Sequence, residues 1–164
     1  MSAVVSDSTP LNYLALLSDF DLLRRIYGNL LIPPAVYREV VESGAEYPVS
    51  AEVAKAMSTW ISVAEPDVEA VSGLQREFRL HPGESEAIIV AESMGVPLLM
   101  DERRGVHCAR SRGLTVIRTP LIYADARILG LIPSLRAKLD QLRAVGFHLS
   151  EQHYEMILRE LGEL

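Results

Sequence analysis

Residues 83–102 read Gly83-Glu84-Ser85-Glu86-Ala87-Ile88-Ile89-Val90-Ala91-Glu92-Ser93-Met94-Gly95-Val96-Pro97-Leu98-Leu99-Met100-Asp101-Glu102, and the fold class follows from how that stretch divides. Ala87 to Ala91 form an unbroken apolar run between acidic ends, and Gly95 follows, the residue type best able to end a helix in the left-handed conformation. The pattern predicts a largely buried helix over 84–93. Val96 to Met100 is a short, continuous apolar run, as expected for a strand covered on both faces. A buried helix feeding a buried strand is the unit from which parallel α/β sheets are built.

The same alternation extends in both directions. Towards the N-terminus, strands are predicted at Ala3–Ser6, Leu30–Ile32 and Trp60–Val63. Between them, Ser8-Thr9-Pro10 signals a helix start, with Leu11, Leu14, Leu16 and Leu17 as its apolar side. Asp19 opens a second helical stretch with Leu22, Leu23 and Ile26 facing the core. Pro34 to about Glu42 reads as a helix ending at Gly44, residues 45–48 as a loop, and Ser50 as the cap of a helix through Met57. Val68–Phe78 is helical and is broken by Leu80-His81-Pro82-Gly83. Towards the C-terminus follow a basic helix over Glu102–Arg112, a strand at Leu114–Ile117, and helices over Leu121–Leu129, Pro133–Ala144 and Ser150–Leu161. The whole is one α/β domain over 1–164, closing with helices from about 133 to 161. In such sheets ligands bind beyond the carboxyl ends of the strands.

Composition narrows the function classes. A chain of 164 residues, 49% apolar and 23% charged, has enough core for one domain. Its single cysteine, Cys108, excludes an intramolecular disulfide framework and reads as a core thiol in a reducing compartment. No apolar run reaches the length of about 18 residues that a spanning helix needs, and no basic leader precedes the first strand, so the expected location is the cytoplasm. The formal charge of −6 argues against a protein that coats nucleic acid by bulk electrostatics. Locally, however, Arg103, Arg104, Arg110, Arg112, Arg118 and His107 form a basic group directly after Asp101 and Glu102.

Carboxylates gather at the ends of apolar segments. Asp7 follows Ala3-Val4-Val5, Glu84 and Glu86 open the apolar helix, and Asp101 and Glu102 close the strand after it. Converging carboxylates repel one another unless a hard cation lies between them. Each also has a plain structural role open to it. Asp7 can cap the helix at Ser8, Glu84 and Glu86 can complement a helix dipole, and one of Asp101 and Glu102 can cap the next helix. Glu39 flanks the stripe of Val36, Val40 and Val41 and, from spacing alone, reads as a solvated helix charge.

Other chemistries lack their residues. His107 and Cys108 are adjacent on a helix and do not face each other, so they make no nucleophile pair. His81, His107, His148 and His153 have no zinc-ligand spacing. Neither a phosphate-binding glycine loop nor a Gly-x-Ser-x-Gly elbow occurs. The remaining donor set is oxygen, which suits Mg²⁺ or Mn²⁺.

The order of motifs resembles the PIN-domain family. The carrying segments are Val4-Val5-Ser6-Asp7-Ser8-Thr9-Pro10-Leu11, Ile32-Pro33-Pro34-Ala35-Val36-Tyr37-Arg38-Glu39-Val40, Gly83-Glu84-Ser85-Glu86-Ala87-Ile88 and Leu98-Leu99-Met100-Asp101-Glu102-Arg103. Gly130-Leu131-Ile132-Pro133-Ser134 and Gly146-Phe147 extend the likeness to a little-characterised prokaryotic branch. The resemblance implies a three-layer α/β/α sandwich with a central parallel sheet, an acidic cluster holding Mg²⁺ or Mn²⁺, and endonucleolytic cleavage of RNA. It carries the four acidic positions onto Asp7, Glu39, Glu86 and Asp101, with Glu84 and Glu102 as neighbours able to take part, and an accompanying hydroxyl onto Ser8 or Thr9. Two departures stand out: the third position is Glu where the wider family commonly has Asp, and Met100 precedes Asp101 where a Thr is common. Ser8, Arg103, Arg104 and Arg110 are the candidates for guiding a phosphate backbone, against a plain solvated helix face for the arginines. By the same resemblance the partners are a small DNA-binding antitoxin and a second copy in a homodimer. The rivals are a non-catalytic PIN fold that binds RNA or protein, and a metal-dependent phosphatase of small phosphoesters.

Overall fold

The computed structural model describes residues 2–44 and 46–164; of the loop expected at 45–48, Ala45 lies outside the described residues. The chain forms two compact units, 1–118 and 119–164.

In the first unit five strands among the described residues form one parallel sheet: β1 (Ala3–Ser6), β2 (Asn29–Ile32), β3 (Ile61–Val63), β4 (Leu98–Leu99) and β5 (Val116–Ile117). Their order is β3-β2-β1-β4-β5. The chain moves outward from β1 through β2 to β3, then returns to the other side of β1 for β4 and β5. Right-handed crossovers therefore place the connecting helices of the two halves on opposite faces, giving the three-layer α/β/α sandwich. On one face lie α1 (Ser8–Leu16), α2 (Asp21–Tyr27), α3 (Pro34–Tyr37) and α4 (Pro48–Ala56); on the other lie α5 (Val68–Phe78), α6 (Pro82–Met94) and α7 (Arg103–Ser111). Val5, Leu98 and Met100 pack with Ile88, Val90, Ala91 and Ala109 in one continuous apolar cluster. Cys108 belongs to it, and burial pushes its thiol up from the usual range.

Every strand forms where it is expected: β1 has the expected bounds, β2 starts one residue earlier at Asn29, and β3, β4 and β5 are shorter. β4 keeps only Leu98–Leu99 of the expected 96–100, and β5 only Val116–Ile117 of the expected 114–117, the residues through which the two strands pair with each other. The parallel hydrogen bonding nonetheless runs past the strand ends: the Asp7 N–H donates to the Leu99 carbonyl at 3.0 Å and that of Met100 to Ile117 at 3.2 Å. With Ser6 opposite Leu99, Asp7 and Asp101 emerge side by side from the carboxyl edge.

Several helices differ from expectation. α6 begins at Pro82, not after Gly83, because proline fits the first helical position and His81 takes the extended cap conformation. Its far end is Gly95, at φ 66°. α4 begins at Pro48 for the same reason, and the Ser50 hydroxyl donates to the Val41 carbonyl, not to its own helix. Leu16, expected on the buried side of α1, is 50% exposed, because the helix ends there. The helix expected over 34–42 is α3 followed by a π-helical turn, Arg38–Glu42, closed by the Ser43 N–H donating to the Arg38 carbonyl at 2.8 Å. Gly44 lies so close behind that turn that a Cβ there would stand 3.0 Å from the Val40 carbonyl oxygen and 3.1 Å from that of Glu39.

The second unit is helical: α8 (Thr119–Ile128), α9 (Leu135–Ala144) and α10 (Glu151–Glu160). The Ser134 and Ser150 hydroxyls cap α9 and α10. Glu163 accepts from the N–H groups of Leu135 and Arg136 at 2.9 and 3.1 Å and pairs with Arg127 at 3.2 Å, tying the chain's end to the start of α9. Among the described residues no helix is long and apolar enough to cross a membrane.

Candidate functional site

At the carboxyl edge of the sheet, Asp7, Ser8, Thr9, Ala35, Arg38, Glu39, His81, Gly83, Glu84 and Glu102 surround a pocket of about 560 Å³. Asp7 is 5% exposed. It stands at the N-cap position of α1 but accepts no capping hydrogen bond there, so capping does not account for its burial. Burial, opposed by a hydrogen bond from the Ser8 N–H, and reinforced by the charges of Glu84, Glu39 and Asp101, pushes its carboxyl up to about 7.

Glu39 comes to Asp7 through the π-helical turn. The Ser8 hydroxyl donates to Glu39 Oε2 at 2.7 Å and lies 3.5 Å from Asp7 Oδ1, bridging the two carboxylates. Gly83 lies against both carboxylates: a Cβ there would stand in ordinary contact, 3.4 Å from Asp7 Oδ1 and 3.5 Å from Glu39 Oε2. The start of α6 thus lies against the tip of β1, a point that spacing along the chain leaves open.

That start also separates Glu84 from Glu86. Glu84, 6% exposed, turns into the pocket, and its Oε2 is buried with no hydrogen-bond partner. Burial and the charge of Glu102 push its carboxyl up. It lies close to the backbone of Gly105, where a Cβ would stand 2.9 Å from Oε2. Glu86 turns to α3: it accepts from the Ala35 N–H at 3.1 Å and lies 3.9 Å from Arg38. Two residues apart on a helix are about 200° apart around it, so the pair cannot face the same way. Glu102 is exposed at the N-cap of α7 and lines the pocket. Asp101 lies 3.9 Å from Arg118 and contributes charge to Asp7 from the neighbouring strand.

The structure therefore brings Asp7, Ser8, Glu39, Glu84 and Glu102 into one pocket, with Asp101 beside it and Glu86 against α3. Arg103, Arg104 and Arg110 are exposed on α7, and Arg104 lies 3.4 Å from the Arg79 carbonyl. Arg112 is engaged by Glu92 through two bonds at 2.7 and 2.8 Å. Sequence reasoning missed Arg38 and His81 at the rim. The signal was present for both: Arg38 adjoins Glu39, and His81 precedes the Pro82-Gly83 start of the acidic helix.

Buried, mutually repelling carboxylates with an orphaned oxygen form a donor set suited to a hard divalent cation. As the side chains stand, among the described residues no three His, Cys, Asp or Glu converge closely enough to hold an ion.

A family model, DUF3368, described as a PIN domain, matches residues 3–163. Among solved structures, PAE2754 from Pyrobaculum aerophilum is similar at 20% identity and a TM-score of 0.57, over 77% of this chain and 96% of that one. SSO1118, a PilT N-terminus domain protein from Sulfolobus solfataricus, is similar at 21% identity and a TM-score of 0.50, over 77% of this chain and 93% of that one. No curated protein matches the chain.

Proposed function

Because this chain belongs to the PIN-domain family, we propose that it is a Mg²⁺- or Mn²⁺-dependent phosphodiesterase, and specifically an endoribonuclease. PIN domains are commonly nucleases that use divalent metals, bind RNA and often pair with antitoxins. One observation carries the reading for this chain: Asp7 stands uncapped at a strand tip, where burial first and the neighbouring carboxylates second push it towards neutrality. A fold gains nothing from such an arrangement unless a cation offsets the repulsion.

In this reading Asp7, Glu39 and Glu84 hold the cation, with Asp101 and Glu102 as flanking donors. Bound there, it supplies Lewis acidity to activate water and to stabilise charge on the phosphate. Ser8 keeps the Glu39 carboxylate turned towards Asp7. Arg38 and His81 offer the phosphodiester N–H donors at an otherwise acidic rim. Glu86 positions α3, and with it Glu39, instead of binding metal. The test is Mn²⁺-dependent cleavage of RNA by the wild type and by Asp7→Asn. Equal activity in the two, or activity undiminished by chelation, refutes the mechanism.

The absence of three converging side chains among the described residues favours a second reading, a non-catalytic PIN fold that binds RNA or protein. It predicts no gain in melting temperature with Mn²⁺. The proposal extends to a cytoplasmic toxin working as a homodimer beside a small DNA-binding antitoxin. Light scattering of the purified chain, and co-purification with the product of an adjacent short gene, test those two parts. The family match over both compact units supports treating 1–164 as one functional domain.

A further inference from the structure

Beside the acidic pocket, across the π-helical turn, lies a second cavity of about 450 Å³ with a different character. Asn12, Leu16, Val40, Tyr47 and Val49 line it, together with Glu39 and Ser43, which also line the acidic pocket. Leu16 is 50% exposed and Tyr47 67% exposed, so two large apolar side chains meet solvent beside the carboxylates. Tyr47 is held at both ends of its loop. Its N–H donates to the Gly44 carbonyl at 2.9 Å, and its carbonyl accepts from the Ser50 N–H at 3.1 Å at the start of α4.

We propose that this groove seats an unpaired nucleobase of single-stranded RNA, from the nucleotide flanking the phosphodiester at the acidic pocket. The proposal rests on the ribonuclease reading for the identity of the ligand. Glu39 and Ser43 line both cavities, so the two lie side by side, as the base and phosphate of one strand require. Among the described residues no lysine or arginine lines the cavity and Glu39 stands at its border, so a phosphate is disfavoured there while a neutral, planar base is not. Tyr47 offers an aromatic face for stacking, which every base accepts. Asn12 offers a donor and an acceptor to a base edge.

The test is fluorescence anisotropy in Mg²⁺ with fluorescein-labelled 2′-O-methyl RNA octamers. A second probe has the same phosphates on abasic tetrahydrofuran residues. The expected result is that Tyr47→Ala weakens binding of the base-bearing octamer about ten- to a hundredfold. Affinity for the abasic probe should stay at its wild-type value, and Tyr47→Phe should retain base-dependent binding. Melting curves of both variants check that they fold. Equal weakening for both probes, no weakening, or a wild type that binds neither probe overturns the proposal. Cleavage is measured separately on ordinary RNA. Base-dependent binding without cleavage upholds the groove and sinks only the nuclease reading, whereas cleavage with a Tyr47→Ala variant that binds like wild type sinks only the groove.

Discussion

Replacing Asp7 with Asn should stabilise the metal-free protein at pH 8 and leave it unchanged at pH 4. An ordinary aspartate titrates near about 3.9, while burial and three neighbouring carboxylates bring Asp7 to about 7. Below about pH 3.9 the side chain is protonated in the folded and unfolded chains alike, so it contributes no difference. As pH rises from there, the unfolded chain releases a proton that the folded chain retains, and stability falls. The loss is complete above about pH 7 and amounts to at most about 4 kcal/mol, at about 1.36 kcal/mol per pH unit. Asparagine is isosteric, keeps an oxygen for Ser8 and has no charge to bury. For a chain of this size the gain corresponds to a rise of roughly 10 °C in melting temperature. Urea titrations of both proteins from pH 4 to 9 in EDTA provide the assay. Curves that fall in parallel across this range would refute the claim that Asp7 is held in a costly charged state. With Mn²⁺ present the gap should narrow, since saturation at about a hundred times the dissociation constant adds about 2.7 kcal/mol to whichever protein binds the ion, and it should close at about a thousand times, where the gain is about 4.1 kcal/mol.

Four further substitutions test separate parts of the account. Glu86→Ala should cost about 1 kcal/mol, through loss of its bond to the Ala35 N–H, and keep the Mn²⁺-induced rise in melting temperature; Glu84→Gln should abolish that rise, and the opposite pattern would reverse the assignment. Gly83→Ala places a methyl group in ordinary contact with Asp7 and Val36, so circular dichroism should show a fold at least as stable, while calorimetry should show Mn²⁺ affinity falling about tenfold. Gly44→Ala presses a Cβ onto the Val40 and Glu39 carbonyls at 3.0 and 3.1 Å, where backbone cannot move aside. It should lower stability by about 1–3 kcal/mol, and an unchanged melting temperature would mean the turn relaxes freely.

β1, β2, β4 and β5 were legible as short apolar runs, the signature of strands covered on both faces, whereas β3, with Ser62 and Val63 exposed, was legible from its alternation and β-forming residues. Their ends were not, since β4 and β5 stop where pairing stops, and pairing involves residues far away in sequence. Glu84 and Glu86 expose the limit for the site. Helix periodicity establishes that they face different ways, but not which faces Asp7; that depends on where α6 begins and on Gly83 lying against the carboxylates. The turn at Arg38–Glu42 was equally hidden, because Val36, Val40 and Val41 satisfy an α-helical stripe just as well. Arg38 and Glu39 reach the pocket through that turn, so the residues hardest to assign from spacing were those that depend on it.

That turn also has a bearing on how such a chain can diverge. A π-helical turn amounts to one residue more than an α-helix would use over the same path. The same path can therefore be spanned with one residue fewer between Val40 and Ser43, ordinary winding replacing the turn while Glu39, bonded to Ser8, and the chain beyond keep their places. The turn is accordingly a point at which the length of such a chain can vary while the carboxylates of the pocket are inherited unchanged.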